Sequence, residues 1–381
     1  MHRLLPIEGL RAYLALWVVV AHVMFLAGVD PHGVRDNHFW TALGQFFGDG
    51  PYAVQIFMIV SGFVIFYLLD HKKESYRPFL VRRFFRLYPV YVLLLFTAIL
   101  SGPFHWWIIQ HSAPYMTAGT LSYCTDLFTT TWSHEGWNIF LHLIMFQGIF
   151  PDAVLGMMSP YSFIIAAWSI AIEWQFYLMA PLIYFFISAR SALSRILLCA
   201  FFLLLYVSCA IGWWSHYVIF FGNFVPFFFL GIASYFLHKT LHGKTAPDTA
   251  FLITLGLALA IYFQGIRMGS LIPIVLWLPF LGLLCEPSGS ISSRWLLGIF
   301  NNRIAQYLGA ISYGIYLSHE QVMFLMQYFL VTWAPPHSQH THLLALLAST
   351  ILFTILLSAL LHHFVELPGM ALGKKLAARL R

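Results

Sequence analysis

Charged residues are scarce in this chain of 381 residues: Asp, Glu, Lys and Arg make up only 9% of it, while 60% is hydrophobic. Soluble domains carry roughly 25% charged residues, so this composition excludes an ordinary soluble protein. Apolar runs of about 20 residues recur along the chain, which is the length that a transmembrane helix needs. We therefore predict an all-α polytopic membrane protein.

Cysteine is also rare and shows no pattern of a metal site or a disulfide framework. The four cysteines, Cys124, Cys199, Cys209 and Cys285, form no CxxC pair. The N-terminus lacks the cationic start and the small-residue cleavage site of a secretory signal, so the first apolar segment is expected to stay in the mature protein. Internal repeats, long linkers and low-complexity tracts are absent as well. Residues 1–381 are therefore interpreted as one membrane domain.

Hydropathy predicts about ten transmembrane helices. They cover residues 10–29, 52–69, 88–104, 161–187, 196–213, 218–237, 251–263, 271–285, 304–331 and 343–365. The seventh and the eighth are short, and they are either tilted spans or re-entrant halves. Because these two come as a pair, losing both would leave the sidedness of the later helices unchanged.

The distribution of Lys and Arg sets the predicted sidedness. With ten spans and a cytoplasmic N-terminus, 17 of the 20 Lys and Arg are cytoplasmic, two (Arg35 and Arg267) are external, and Arg11 lies in the membrane. An eleventh span at residues 137–150 would leave 8 inside and 11 outside. We therefore predict that both termini are cytoplasmic and that residues 137–150 form a re-entrant or interfacial helix within a long external segment, about 104–160.

Several polar side chains fall within predicted spans, where a charge costs at least ~2.5 kcal/mol at the bilayer centre. Arg11 and His22 are eleven positions apart, so they share one helix face and lie about 16 Å apart along its axis. Glu173 lies in the middle of the fourth span, with Ser169 and Tyr177 one turn away on the same face. We interpret both faces as lining a polar cavity. The structural alternative is a snorkelling Arg, a His bonded across helices and a Glu paired with a buried Arg.

The stretch "RRFFRLYPVY" places three arginines, Arg82, Arg83 and Arg86, within one helical turn at the predicted cytoplasmic end of the third span. Guanidinium forks suit bidentate phosphate contacts. Basic residues at this end of a span also act as topology signals, so the motif alone is weak evidence for a ligand site. In the ninth span, "LGAISYGIYLSHE" places His319 and Glu320 well within an apolar helix, where they too are expected to face a polar cavity.

Together these residues resemble the acyltransferase-3 family of integral membrane O-acyltransferases, which modify bacterial surface glycans and some small molecules. The matching strings follow the family's order: "IEGLRA" with the Arg-x10-His spacing, "FMIVSGFVIF", "RRFFRLYP", "WSIAIEWQFYLMAPL", "FFFLGIASYF", "LGAISYGIYLSHE" and "VELP". The ordered set is specific, whereas one string alone would not be. The resemblance implies transfer of an acyl group, usually acetyl, from cytoplasmic acyl-coenzyme A across the bacterial cytoplasmic (inner) membrane to a hydroxyl of an extracytoplasmic glycan or lipid-linked sugar.

The resemblance also implies roles for individual residues. His22 and Glu173 match the family's catalytic His and the acid of its Trp-Ser-x-x-x-Glu motif. The residues that match its donor-binding arginines are Arg11, Arg82, Arg83 and Arg86. The residues expected to line the cavity or the acceptor site are Trp168, Ser169, Tyr177, Tyr313 and His319. Acetyl-coenzyme A is the expected donor, and no metal is expected.

Two departures from the family pattern leave a question open. Glu8 stands where many members have Asp in "DGLR", which is a mild change. Gln55 stands where many have an Asp that is a candidate partner for the histidine, so either Gln55 or Glu173 is left to orient His22. Glu173 alternatively pairs with Arg11. The chain shows neither a G-x-S-x-G elbow nor a thiol at a matched position, which favours direct transfer over an acyl-enzyme.

Other interpretations stay open at this point. A transporter or sensor of lipid-linked sugars would use the same buried polar residues without chemistry. The external "HSQHTH" stretch (His337, His340, His342) offers imidazoles for a metal, although histidines in solvated loops are common. No appended esterase-like domain is seen, so the membrane domain is expected to act alone or to pass its product to a separate protein. The acceptor, the acyl chain length and the oligomeric state are not fixed by the sequence.

Overall fold

The structure, a computed structural model, describes residues 4–28, 44, 46–148, 159–188, 191–210, 219–242, 271–285, 291–335 and 338–380. The α-helices in these ranges are α1 (Leu5–Leu26), α2 (Gly50–Lys72), α3 (Tyr76–Leu100), α4 (Gly102–Ser112), α5 (Ala118–Ser133), α6 (Glu135–Leu143), α7 (Ala167–Ser188), α8 (Ala192–Ala210), α9 (Val225–Leu241), α10 (Ile272–Cys285), α11 (Ile291–Asn301), α12 (Arg303–Ala310), α13 (Ser312–Trp333), α14 (Gln339–Leu361) and α15 (Leu367–Ala378). All regular elements of the described residues are helical, which confirms the predicted all-α class.

Six helical segments among the described residues are long and apolar enough to cross a membrane. They are α1, α2, α3, α7, Phe221–Leu241 and Gln339–Ala378. Helix α10 is apolar but shorter, and the predicted seventh span, residues 251–263, lies outside the described residues. The total of about ten spans and the cytoplasmic location of both termini stay predictions.

The third span differs from its predicted bounds in a way that matters for the site. Helix α3 begins at Tyr76 rather than at residue 88, so the arginine motif lies inside the helix and not ahead of it. Its 25 residues extend about 37 Å, which exceeds the ~30 Å hydrocarbon thickness. The arginine motif is therefore held on the regular backbone of α3, about two to three turns after its first residue.

The predicted ninth span consists of two helices, and the predicted tenth span contains a π-helical turn. Residues 304–331 form two helices, α12 and α13, and α12 begins where the Asn302 side chain accepts a hydrogen bond from the Ala305 N–H (2.8 Å). Helix α13 then begins at Ser312, so the buried polar residues of this region occupy its first turns. The last span continues through a π-helical turn, His362–Glu366, into α15.

The external segment predicted over residues 104–160 contains α4, α5 and α6. Helix α6 has nine residues, about 14 Å, which is too short to cross a ~30 Å hydrocarbon core. Residues 149–158 lie outside the described part of the chain. The external, re-entrant or interfacial position of this segment stays a prediction.

Helices α2 and α9 pack with their backbones in close contact through two glycines. A Cβ atom at Gly62 would lie 2.2 Å from the Phe228 carbonyl oxygen, and one at Gly231 would lie 1.9 Å from the Ile59 carbonyl oxygen. Small residues at such crossings are typical of membrane helices, which gain stability from close packing. This crossing fixes α2, which contributes to the site described below.

The Gly62→Ala substitution is therefore expected to destabilise the protein. The added methyl group cannot be placed without moving the α9 backbone, and overpacking of this kind costs about 1–3 kcal/mol. The midpoint of thermal unfolding in detergent, followed by the loss of the monodisperse peak, should fall. Gly136→Ala is the matched control, because nothing lies within 4 Å of a Cβ at Gly136. Equal midpoints for the two variants would contradict the close packing of α2 and α9.

Candidate active site

Three arginines and one carboxylate line a cavity between α1, α2, α3, α7 and α13. The cavity, which we name the arginine cavity, contains about 860 Å³ of empty space, including the part that opens to solvent. Its charged and polar lining residues are Arg11, Arg83, Arg86, Glu173, Ser61, Ser169, Tyr177, Ser312, Tyr313 and Tyr316.

The three arginines of the α3 motif have different surroundings. Arg82 forms an ion pair with Glu74 and is not among the residues that line the arginine cavity. The Arg86 guanidinium lies 2.5 Å from Glu366 Oε1. That glutamate belongs to the "VELP" stretch and sits in the π-helical turn, where His362 Nδ1 lies 2.6 Å from its other oxygen.

Of the three arginines that line the arginine cavity, Arg83 and Arg11 form no ion pair with a carboxylate of the described residues, unlike Arg86. The Arg83 guanidinium lies over the rings of Phe79 and Tyr177, at 5.7 and 5.8 Å from their centroids, and its buried Nε has no hydrogen-bond partner among the described residues. Arg11 has no carboxylate oxygen within 4.0 Å in the described part of the chain. Both side chains therefore offer N–H donors to an anionic ligand in the cavity.

Glu173 is bonded to hydroxyl groups of the same cavity. Its Oε1 accepts hydrogen bonds from the Tyr177 hydroxyl (2.5 Å) and from Ser61 Oγ (3.0 Å). Neither Glu173 nor Gln55 is among the hydrogen-bond or ion-pair partners of His22 in the described structure. Glu173 therefore pairs with neither His22 nor Arg11 in the described contacts, although it lines the same cavity as Arg11.

His22 pairs with His319, a residue of α13. The distance between His22 Nδ1 and His319 Nε2 is 2.7 Å, and the two rings stack with their centroids 4.9 Å apart. Glu320 Oε1 lies 3.5 Å from the same His22 nitrogen. Two buried residues of one turn of α13 therefore surround the imidazole that the sequence places in the outer half of α1.

The hydrogen bonds determine which nitrogen of neutral His22 is free to act as a base. His319 Nδ1 lies 2.7 Å from the Tyr316 carbonyl oxygen, and because a carbonyl only accepts, this nitrogen carries the hydrogen. His319 Nε2 is then an acceptor, and His22 Nδ1 donates to it. The lone pair of His22 is thereby assigned to Nε2.

Glu320 and Tyr316 attach α13 to the start of α7. The Ala166 N–H donates to Glu320 Oε1 (3.0 Å). The Tyr316 hydroxyl donates to the Ala166 carbonyl (3.1 Å) and lies 2.8 Å from Ser169 Oγ. These bonds hold the polar face of α13 in one position relative to α1 and α7, because breaking any of them would leave buried polar atoms unpaired.

The histidine pair has a geometry closer to hydrogen bonding than to metal binding. One ligand atom from each of His22, His319 and Glu320 lies within 4.8 Å of the others. Two nitrogens on one tetrahedral Zn²⁺ are about 3.3 Å apart, whereas the two imidazole nitrogens are separated by 2.7 Å. In the "HSQHTH" stretch, His342 is buried with its Nε2 at 2.8 Å from Gln327 Oε1, His340 is exposed, and His337 lies outside the described residues.

The structure brings most of the candidate residues to two neighbouring places. Arg11, Arg83, Arg86, Glu173, Ser169, Tyr177 and Tyr313 line the arginine cavity, and His319 contacts His22. Arg82 and Trp168 lie elsewhere, and the Trp168 ring packs against Phe224 at 5.6 Å between centroids. Sequence reasoning did not assign roles to Ser61 or Glu366. The signals available for Glu366 were its place in the family string "VELP" and its position directly after an apolar span.

The fold and this site define a helical membrane protein that places a cation-lined cavity beside a histidine pair. The sequence model of the acyltransferase domain family Acyl_transf_3 matches residues 5–363. The chain therefore belongs to the acyltransferase-3 family, which confirms the resemblance seen in its motifs.

Similar proteins carry names from the same chemistry. "Putative peptidoglycan O-acetyltransferase YrhL" of Bacillus subtilis (strain 168) is 26% identical over 96% of this chain and 55% of its own length. "Peptidoglycan O-acetyltransferase OatA" of Listeria monocytogenes serovar 1/2a is 30% identical over 46% of this chain and 23% of its own length. "Acyltransferase MdmB" of Streptomyces mycarofaciens is 27% identical over 48% of this chain and 39% of its own length. The chain thus spans about half or less of these relatives, and no solved structure matches it.

Proposed function

We propose that this protein transfers an acyl group, most commonly acetyl, from cytoplasmic acyl-coenzyme A to a hydroxyl of an extracytoplasmic glycan or lipid-linked sugar. The observation that carries the proposal is the position of the His22–His319 pair next to the arginine cavity, since Tyr316 lines that cavity and its carbonyl accepts from His319. The relatives named as peptidoglycan O-acetyltransferases support a glycan acceptor. The bacterial cytoplasmic membrane is the location that follows from the proposal.

The arginine cavity supports an anionic donor. Coenzyme A carries several phosphate charges, and the cavity offers Arg11 and Arg83 with N–H groups that no carboxylate holds. Charge-assisted hydrogen bonds to phosphate are about twice as strong as neutral ones. By the Lys and Arg distribution, the α3 motif lies at the cytoplasmic end, which is where coenzyme A is present.

In the proposed step, His22 Nε2 accepts the proton of the attacking acceptor hydroxyl. At the same time, the oxygen of this hydroxyl bonds to the thioester carbonyl carbon. The carbon–sulfur bond then breaks, and the coenzyme A sulfur leaves as a thiolate that takes up the proton accepted by His22 Nε2. His22 is then neutral again, and the products are an ester and the free thiol. His319 accepts from His22 Nδ1 throughout, which keeps the basic lone pair on Nε2. A positioned base of this kind contributes about 10²–10⁴-fold to a rate.

Direct transfer requires no nucleophile from the protein, and the thiol that shares a cavity with Glu320 is unsuited to act as one. Cys124 lies on α5, and its pocket also contains Glu320. Burial raises the pKa of the Cys124 thiol to about 11. Because the thiolate is the nucleophilic form, this cysteine is inert at neutral pH.

A transporter or sensor of lipid-linked sugars is the alternative of another class. Neither transport nor sensing requires a histidine base held in one tautomer. Neither of them cleaves a thioester. The experiment that separates them is donor dependence in the purified protein: release of free coenzyme A thiol from acetyl-coenzyme A that rises with added glycan supports the enzyme. Acceptor transport without thiol release would support the alternative.

Arg83→Ala is expected to weaken binding of acetyl-coenzyme A by roughly tenfold or more. The loss follows because one charge-assisted phosphate contact is ~1.5–3 kcal/mol, and 1.4 kcal/mol corresponds to a factor of ten. Arg82→Ala should have a smaller effect, since Arg82 is paired with Glu74 outside the cavity. Calorimetric titration with acetyl-coenzyme A measures the dissociation constants of the wild type, Arg83→Ala and Arg82→Ala in detergent.

Arg303→Ala is the neutral control for this series, because Arg303 is exposed at the start of α12. Its affinity for acetyl-coenzyme A should equal that of the wild type. If Arg83→Ala binds as tightly as Arg303→Ala, the arginine cavity is not the donor site.

A further inference from the structure

A second cavity lies next to the histidine pair and has a different lining. It contains about 630 Å³ of empty space, including its open part, and we name it the aromatic cavity. Five of its lining residues carry Phe, Tyr or Trp rings, namely Phe128, Trp132, Tyr161, Phe163 and Phe324. Its polar lining residues include His105, Cys124, Thr131, Glu320 and Gln321.

The two cavities are adjacent along α13. Tyr313 and Tyr316 line the arginine cavity, whereas Glu320 and Gln321 line the aromatic cavity. Tyr316 and Glu320 are four residues apart, about 6 Å along a helix. His319 directly precedes Glu320 and contacts His22, so the histidine pair lies beside residues that line the two cavities but is itself in neither lining.

The two cavities also follow one another along helix α3, where their lining residues are further apart than on α13. Arg83, Arg86 and Leu87 line the arginine cavity, and Ala98 lines the aromatic cavity. Arg86 and Ala98 are separated by about 18 Å along the helix axis. The aromatic cavity is thus at the end of α3 away from the arginine motif, and α4 and α5 of the predicted external segment form most of its wall.

The charges of the two cavities suit different ligands. Among the described residues that line the aromatic cavity none is Lys or Arg, and Glu320 contributes a carboxylate. A group bearing several phosphates would find no cation there. A neutral ligand with an apolar face and several hydroxyls fits better, because aromatic rings pack against the face while a few polar groups fix the hydroxyls.

We propose that the aromatic cavity is the acceptor site and that it binds one sugar ring of the acceptor glycan, with a free hydroxyl directed toward the His22–His319 junction. This inference rests on the proposed acyl transfer and adds the location and the class of the acceptor. Glu320 is shared by the cavity and the pair, since its Oε1 lies 3.5 Å from His22 Nδ1. It is therefore placed to accept a hydrogen bond from a sugar hydroxyl next to the base.

Two local features agree with a built site. Phe163 has a left-handed backbone (φ 62°), a conformation that is uncommon for residues other than glycine and that costs about 1–3 kcal/mol. Its ring stands edge-on to Trp132, with the centroids 5.8 Å apart. Burial lowers the pKa of His105 to about 4, so its ring stays neutral at pH 7.

The test uses the full chain in nanodiscs with tri-N-acetylglucosamine as the acceptor probe. Trp132→Ala and Phe163→Gly each remove one ring, and glycine suits the left-handed backbone at position 163. Both variants should raise the KM for the sugar tenfold or more, while the KM for acetyl-coenzyme A stays within twofold of wild type. Trp137→Ala, an exposed tryptophan outside the cavity, should match wild type in every measurement.

Sugar binding without donor, measured by saturation-transfer NMR, keeps the two proposals separate. Wild type should show saturation transfer to the sugar, and Trp132→Ala should lose it. Normal transfer and binding in both cavity variants would overturn the acceptor site while leaving the proposed function intact. Binding that depends on Trp132 without any acyl transfer would support the site and overturn the proposed function. Absence of both binding and transfer in wild type would overturn both.

Discussion

His22→Ala is expected to abolish acyl transfer, with a loss of about 10²–10⁴-fold in turnover, because it removes the group that accepts the hydroxyl proton. His22 Nε2 is the base in the proposed step, since Nδ1 is engaged with His319 (2.7 Å). The measurement is the initial rate of release of free coenzyme A thiol from acetyl-coenzyme A in the presence of acceptor glycan. The KM for the donor should change little, because the arginine cavity is intact.

Two further variants show whether this loss is chemical or structural. His22→Gln keeps a polar side chain that can donate to His319 but has no basic nitrogen, so it should be as inactive as His22→Ala. His340→Ala removes an exposed histidine at the start of α14 and should retain full turnover. Substantial activity in either His22 variant would remove this residue from the role of base.

The relation between Arg11 and His22 was predictable because it depends on one helix alone. Helix periodicity fixes the face and the axial distance of two residues in the same segment, whatever surrounds them. Both residues lie on the side of α1 that faces polar residues of α13. Arg11 shares a cavity with Tyr313 and Tyr316, and His22 contacts His319. The same local reasoning placed Ser169, Glu173 and Tyr177 on one face, and all three line the arginine cavity.

The partner of His22 was not predictable from spacing. His22 and His319 are 297 positions apart in the sequence, so their contact depends on how α1 packs against α13. The sequence offered Gln55 because it stands where many family members have an Asp, and Glu173 because it is an acid at a depth between Arg11 and His22. Depth along the membrane normal does not determine lateral neighbours, and Glu173 is bonded to Ser61 and Tyr177 instead.

The arginine motif shows the same limit. Its composition indicated a phosphate site but could not rank three arginines within one turn. Packing separates them, because Glu74 engages Arg82 and Glu366 engages Arg86. Glu366 reaches Arg86 from a π-helical turn, a local distortion that is frequent at functional sites and has no simple sequence signal.

The aromatic cavity could not be predicted from the sequence, because its lining residues come from several separate segments. Its lining comes from the end of α3, from α4 and α5, from residues 161–165 and from the middle of α13. No single helix carries a polar stripe there that would stand out from the surrounding aromatic residues. The only signals were Glu320 in an apolar span and the length of the predicted external segment.

His319→Leu should lower turnover tenfold or more while leaving the KM for acetyl-coenzyme A unchanged. Without an acceptor at this position, neutral His22 loses the hydrogen bond that holds the proton on Nδ1, so a fraction of the molecules carry the proton on Nε2 and cannot act as base. The charge that develops on His22 in the transition state also loses a neighbouring dipole. The measurement is a complete steady-state analysis with donor and acceptor varied separately.

His319→Gln provides the rescue that separates positioning from simple packing. The glutamine Oε1 can take the place of His319 Nε2 and accept from His22 Nδ1, so this variant should recover most of the turnover lost in His319→Leu. A purely structural His319 would give the opposite order, because the buried site tolerates apolar leucine better than an amide that must find its own partners. Equal turnover in wild type and His319→Leu, with His22→Ala inactive, would show that His22 acts as base without help from α13.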